Sequence, residues 1–573
     1  MNIKMLFVDS KNKWQYALLL WLIIIVQIAV ILHFTFERNN LFVDEVWTFN
    51  MANHYYFPFS FQSVEPYLNK WLPASFWVNS LVVDPNHTFS YGSVFYNQTV
   101  DNHPPLYFVV IHTICSFFPG QFSRWFGLIP NLFFFVLVQL TLYTISLKLF
   151  KKEAAALVVC LLFGSCWGTV NNVMLLRMYV MLTFFALLSF YEHLCFLEEV
   201  RAGIFSKKTQ FWIYICSICG FLTHYYYLLY AAYLFFGTVI MLILYQKKSA
   251  VTRYFLTLVG ALLSCIVINP CIIPQFIGTA GEHGSNTWHN LVQHDFINRV
   301  TVMSKLISQD LTGHKARALI LLLIFLFIIK VISDIRKKGV SCPNNSDTIT
   351  ATWEKERRIF SVSVHFNTIQ PGTFLAAFTS VAYFLTASKI VPYFENRYMY
   401  IIYPLVVICL FSMLNGLLKS IKPEQGLSLL ITAVIVLGLN VNLYNRRNIK
   451  FLDDSYPKLL ATISREYSDV NMITVTNSPN WWPVVGNIFI FREVPNTLML
   501  NEKQLPEIKR VVESLPSNPD DFLVFRGYNC KTKPKEFLKV VSETSGYAKH
   551  KKIGYKFGEV YLFSRVNNRL DQP

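Results

Sequence analysis

The sequence predicts an all-α polytopic membrane protein of about eleven transmembrane helices, followed by a small C-terminal α+β domain. Three observations predict it. Of 573 residues 53% are hydrophobic and 15% charged, where a soluble chain carries nearer a quarter charged residues. The apolar residues gather into runs long enough to cross a bilayer core, and most basic residues lie in the short loops between them. From Arg446 onward the composition becomes that of a soluble domain.

The formal net charge of +17 follows from that loop pattern, because loops on the cytoplasmic side carry the excess Lys and Arg. It gives no reason to expect nucleic acid. Eight of the eleven cysteines sit within apolar segments, where they act as small core residues. Cys216 and Cys219 have a CxxC spacing but no further polar ligands, so neither a disulfide framework nor a metal or redox site is implied.

Taken in order, Lys4, Lys11 and Lys13 precede the apolar run Trp14 to Phe36, which reads as an uncleaved anchor with a cytoplasmic N-terminus. The polar loop 37–103 then lies outside. Pro104 to Phe118 is apolar but short, and reads as a re-entrant or interfacial helix. With that choice Trp125 to Leu147 runs inward to Lys148, Lys151 and Lys152, and Ala154 to Val170 returns. Met178 to Leu197, Phe211 to Thr223, Tyr226 to Tyr245, Tyr254 to Asn269, Ala316 to Ile332, Phe374 to Ser388, Met399 to Leu418 and Leu427 to Leu443 continue the alternation. Nearly every basic loop falls inside. The expected divisions are 1–445 for the membrane part and 446–573 for an extracytoplasmic domain, in which Met472 to Val475 and Phe522 to Phe525 read as strands and Leu505 to Ser514 as a helix.

The chemistry-bearing residues collect on the outer side. Asp44-Glu45 lies just beyond the first span, and an acid held there can deprotonate an attacking hydroxyl, although the same dipeptide also suits the first turn of a helix. Asp101 and His103 end the same loop. Arg177 and Tyr179, His224, Lys389, and Arg397 and Tyr398 are placed at the same face from distant parts of the chain. Converging cations beside carboxylates point to an anionic ligand, and guanidinium forks suit phosphate. The external His283, His289 and His294 match no zinc spacing, so no metal or other cofactor is assigned. No P-loop and no GxSxG elbow occurs. The sequons at Asn86 and Asn97 fall outside and that at Asn344 inside.

Asp44-Glu45, Asp101-Asn102-His103-Pro104-Pro105-Leu106-Tyr107, Arg177-Met178-Tyr179 and Arg397-Tyr398, in this order and sidedness, resemble the signature of GT-C membrane glycosyltransferases. The likeness covers residues 14 to 445 and is nearest the branch of protein O-mannosyltransferases and lipid A aminoarabinose transferases. It implies an inverting transfer of a sugar from a polyprenyl-phosphate donor to an acceptor hydroxyl of a glycan, lipid or protein, at the outer face of the cytoplasmic membrane. It further implies Asp44 as catalytic base with Glu45 beside it, and His103, Arg177 and Arg397 at the donor phosphate. His224 and Lys389 join that group by expected position alone. Asn102 departs from the small apolar residue that relatives carry, a matter of packing more than chemistry. A secondary transporter or lipid-carrier flippase is the rival reading; it calls for internal repeats and charges near midmembrane, whereas the ionisable groups here sit at helix ends. A non-catalytic envelope protein gives no reason for acids and cations to gather on the loops.

Overall fold

The computed structural model describes residues 13–38, 41–56, 67–101, 103–277, 290–293, 295–336, 349–354, 359–364, 370–421, 430–434, 438, 455–477, 482–514, 520–547 and 549–565. Asn102, His283, His289, His294 and Asn344, and most of the span expected at 427–443, lie outside them.

The membrane part is a helical body. Its elements are α1 (Lys13–Glu37), α2 (Val43–Asn53), α3 (Ala74–Asn79), α4 (Tyr91–Thr99), α5 (Leu106–Ser116), α6 (Trp125–Phe150), α7 (Glu153–Ser165), α8 (Trp167–Met174) and α9 (Tyr179–Arg201). They continue through α10 (Lys207–Thr223), α11 (Tyr226–Leu244), α12 (Lys248–Ile268), α13 (Ile272–Ile277), α14 (Phe296–Thr312), α15 (Ala316–Arg336), α16 (Pro371–Ile390) and α17 (Tyr403–Ile421). On α1, Leu20, Ile24, Ile31 and Phe34 are buried while Trp14, Leu18, Leu22 and Ile25 are exposed. Such an apolar outer stripe suits lipid and not water.

Among the described residues, seven helices are long and apolar enough to cross a membrane, eight if one bent pair counts as a span. The expected count of about eleven is not reached, partly because α10 has 17 residues and the 427–443 run is mostly undescribed. α5 has 11 residues, roughly 16 Å at the helical rise and about half of a hydrocarbon core.

One expected span is broken. Residues 154 to 170 form α7 and α8, set 61° apart. The cause is local: Cys166 is extended (φ −80°, ψ 148°), and the Thr169 hydroxyl donates to the Phe163 carbonyl at 2.7 Å, supplying the partner that a continuing helix would have given. The body is also pinned by polar contacts within the apolar layer. Gln139 Nε2 donates to Gln27 Oε1 at 2.6 Å and Gln27 Nε2 to the Cys160 carbonyl at 3.1 Å, tying α1, α6 and α7 together.

The polar stretch 336–370 contains a hairpin, β2 (Ile349–Glu354) with β3 (Ile359–Val364), that follows β1 (Trp71–Pro73) in the chain. The C-terminal region contributes β4 (Met472–Thr476), β5 (Asn496–Asn501), β6 (Asp521–Gly527), β7 (Lys549–Tyr555) and β8 (Gly558–Ser564). The sheet order is β1-β5-β4-β6-β8-β7, with β4 parallel to both neighbours and the outer pairs antiparallel. Alternate residues of β6 face opposite ways. Phe522 and Val524 pack under the helices at 508–513 and 534–545, while Leu523 and Phe525 join the core shared with the membrane body.

β1 belongs to the loop between α2 and α5, so the C-terminal sheet is completed by the segment after the first span. Trp71 registers with Leu498 and Pro73 with Asn496. The fully buried Trp77 packs at a tilt against Phe491, ring centres 5.0 Å apart, and Phe489 meets Phe122, which in turn meets Phe49 of α2. The sheet is thereby packed onto the helix that carries Asp44.

Candidate active site

The site starts at α2, a helix buried on almost every side. Its acids lie in the first turn, where the helix dipole favours them, and they have different fates. Glu45 is fully buried and consumed by structure. Its carboxylate accepts from the Phe42 amide at 2.6 Å, the Leu176 amide at 2.8 Å and Arg38 Nη1 at 2.9 Å, with a second Arg38 contact through Nη2. Arg38 also donates to the Met174 carbonyl at 2.9 Å. Glu45 therefore locks α2 to the end of α8.

Asp44, one residue earlier, points the other way. Its Oδ2 is ion-paired with Arg397, which stands in the 3-10 segment Asn396–Ile402 ahead of α17. The Arg397 guanidinium lies 5.5 Å from the Tyr398 ring centre, 5.9 Å from Phe42 and 6.0 Å from Tyr179, a cation enclosed by aromatic faces.

A second guanidinium approaches from the turn between α8 and α9. Arg177 Nη1 donates to the Asp44 carbonyl at 3.2 Å and to Thr48 Oγ1 at 3.1 Å, and Nη2 lies 3.0 Å from His103 Nε2. Arginine has no acceptor. His103 Nε2 must then accept, its proton sits on Nδ1, and Nδ1 donates to Asp101 Oδ2 at 2.9 Å. Asp101, His103 and Arg177 thus form a chain that ends on the backbone of Asp44.

His224 closes the group between α10 and α11. Its ring lies 5.6 Å from that of His103 and 5.5 Å from that of Tyr179, and Nδ1 accepts from the Tyr226 amide at 3.1 Å. Burial, with His103, Arg177 and Arg397 close by, holds its imidazole well below the ordinary value of 6.5. The ring is neutral, and its Nε2–H has no partner among the described residues.

Asp44, Trp47, Asp101, His103, Arg177, Tyr179, Tyr393, Arg397 and Tyr398 line a cavity of about 40 Å³, room for one or two waters. Arg397 also lines a larger cavity, about 290 Å³, with Phe42, Asn171, Asn172, Glu395 and Asn396.

Nine of the ten sequence-predicted residues thus gather at one end of the body, Glu45 with its carboxylate turned into the structure. Lys389 does not join them. It pairs with Asp295 at 3.6 Å and donates to the Gln293 carbonyl, in a cluster with Arg299, whose Nε donates to the Ser388 carbonyl at 3.0 Å. Sequence reading passed over Arg38, Thr48 and Asp310. Asp310 is buried on α14 and accepts from Asn396 at 2.6 Å and Tyr403 at 2.5 Å, fixing the segment that presents Arg397. Among the described residues no three His, Cys, Asp or Glu side chains are grouped to hold a metal.

Together these features define a polytopic helical membrane protein with a buried cluster of paired charges at one end. No family model matches the chain, and no curated protein does. Among solved structures it is similar to ArnT from Cupriavidus metallidurans bound to undecaprenyl phosphate, with a TM-score of 0.47 and 11% identity over 98% of this chain and 100% of that one. The apo state of the same ArnT gives 0.44 and 10%, over 92% and 97%. The archaeal oligosaccharyltransferase AglB from Archaeoglobus fulgidus, in complex with an inhibitory peptide and a dolichol-phosphate, gives 0.39 and 11%, over 98% and 75%.

Proposed function

We propose that the chain is an inverting glycosyltransferase that moves a sugar from a polyprenyl-phosphate carrier to an acceptor hydroxyl at the outer face of the cytoplasmic membrane. The observation that supports this most is the Asp44–Arg397 pair with Arg177 and His103 beside it, buried at the end of a lipid-embedded body. Lys148, Lys151, Arg201, Lys207 and Lys247 at the opposite helix ends support the outer face for the site.

In the displacement the bond from the anomeric carbon to the donor phosphate oxygen breaks as the acceptor oxygen forms its own bond to that carbon. The acceptor proton passes to Asp44, and polyprenyl phosphate leaves with its growing charge met by guanidinium groups. Asp44 Oδ2 is already held by Arg397. A donor phosphate competes for that same guanidinium, so its arrival frees the carboxylate for the acceptor. The base is masked until the donor is bound. Glu45 is assigned to positioning α2, and Lys389 to the Asp295 cluster.

The test uses undecaprenyl phosphate, the leaving group itself, so that the sugar need not be known. Purified protein in nanodiscs should bind it, and Arg397→Ala should weaken that binding by about tenfold or more, the loss expected for a charge-assisted contact. Comparing surface glycans by mass spectrometry with and without the gene reports sugar and acceptor. Absence of undecaprenyl phosphate binding in the wild-type protein, together with unchanged glycans, overturns the reading.

A further inference from the structure

The helix ends opposite Asp44 hold a second charged pocket. α9 runs from Tyr179, beside Arg397, to Arg201, and its 23 residues span roughly 34 Å at the helical rise, about the thickness of a bilayer core. At the far end α6, α9, α11 and α16 enclose about 200 Å³. Lys148, Lys151 and Arg201 line it against one acid, Glu198, and Leu149, Leu194 and Leu197 form an apolar floor.

Two of the three cations have partners there, and the backbone of the third is constrained. Lys148 is ion-paired with Glu198 and lies 5.9 Å from the Tyr191 ring centre, Lys151 is fixed in the left-handed region (φ +54°) as the cap of α6, and Arg201 lies 5.8 Å from the Tyr245 ring centre. The first turn of α16, Pro371-Gly372, enters the same space. A Cβ on Gly372 would stand 2.3 Å from Leu149 Cδ2, so the glycine lets that backbone, with first-turn amides that have no carbonyl of their own helix to meet, lie close to the floor.

Loop lysines that merely orient a helix work from anywhere on the inner side. Here three cations line one pocket with a greasy base, Lys151 and Arg201 reaching solvent at its mouth. Beside Tyr245 on the pocket wall, Ile243 and Leu244 are 52% and 68% exposed, so lipid-facing surface runs up to the rim. We infer that this pocket binds the phosphate of an anionic phospholipid of the inner leaflet, with headgroup on Lys151 and Arg201 and acyl chains along α11. The shared chemistry is a phosphate ester anion, and the apolar rim selects the membrane source over a soluble one.

The test is lipid retention by the full chain, read by native mass spectrometry and by thermal stabilisation in phosphatidylglycerol against phosphatidylcholine nanodiscs. Neither readout requires turnover, so it stands apart from the proposed reaction. Lys151→Gln with Arg201→Gln should lower phosphatidylglycerol affinity by about thirtyfold, the effect of two charges near the surface. Lys247→Gln with Lys248→Gln, an equal charge change in a neighbouring loop, should leave it within about twofold, and Lys151→Arg with Arg201→Lys should retain it. Equal losses in both glutamine pairs would show general surface attraction and overturn the site. Equal stabilisation by millimolar inorganic phosphate in phosphatidylcholine would overturn the lipid as its occupant.

Discussion

The two ends of the helical body spend their charges differently. At the α2 end carboxylates and guanidiniums are buried and matched, Glu45 to Arg38 and Asp44 to Arg397. At the other end cations outnumber acids and reach solvent, as at Lys151 and Arg201. An exposed charge needs no partner; a buried one costs several kcal/mol unless paired and hydrogen-bonded. Unmatched charge at the exposed end orients helices and meets phosphate groups. Matched charge at the buried end is a constellation held ready, and it persists because every member has a partner that the fold supplies.

That contrast breaks most visibly at Asp44. Asp44→Asn keeps the shape and removes the base, so turnover should fall by about 10² to 10⁴ in protein that still inserts, with some loss of stability because the buried Arg397 loses its anion. Transfer at the wild-type rate in a normally inserted variant removes Asp44 from the reaction. At the neighbouring acid, Glu45, the effect should fall on stability instead. Arg38→Ala leaves the fully buried Glu45 carboxylate without its cation, and should cost about 3–5 kcal/mol of stability. Thermal unfolding in detergent checks it: a melting temperature within a degree of wild type would make the Glu45–Arg38 pair dispensable, contrary to its place between α2 and α8.

Asp101→Asn is a smaller change. It removes the carboxylate that receives the His103 Nδ1 proton; an amide can turn its nitrogen toward the ring and favour the other tautomer, which no longer accepts from Arg177. Loss of one such hydrogen bond is worth about 1–3 kcal/mol. Undecaprenyl phosphate affinity should fall by less than in Arg397→Ala, and imidazole nitrogen shifts in NMR should report the exchanged tautomer. An unchanged tautomer would separate Asp101 from Arg177.

Much of this was legible in the sequence because membrane burial is written in composition. Runs such as Trp14 to Phe36 and Trp125 to Leu147 emerge as α1 and α6, and helix alternation alone places Arg177, His224 and Arg397 at one end. Partnership is not written that way. Nothing in Asp44-Glu45 says which acid faces the cavity; that depends on the backbone just past α8, which supplies the Leu176 amide, 131 residues away. The break at Cys166 stayed hidden because both halves are equally apolar and the device is one threonine hydroxyl. Lys389 was misplaced for a related reason: position along a helix gives the end of the body, not the side, and Asp295 claims it. Arg38 carried a signal, a lone arginine at the edge of a span just ahead of two acids. Asp310 carried less, one acid on an amphipathic helix.

The gentlest probe of the contrast is pH, because the buried end holds a neutral histidine among cations. Burial comes first in lowering the His224 value, followed by His103, Arg177 and Arg397, with Asp101 opposing. The unfolded chain takes up a proton near pH 6.5 while the folded one does not, so the unfolded state binds more protons and stability falls as pH drops below 6.5 toward the folded value. One such site contributes a slope of at most about 1.4 kcal/mol per pH unit. His224→Gln should flatten the fall in melting temperature between pH 7 and pH 5 relative to wild type, by the share of a single group, while leaving the value at pH 7.5 nearly unchanged. Identical profiles for the two proteins would mean that His224 takes up its proton in the folded state as readily as in water, which its place between two guanidiniums forbids.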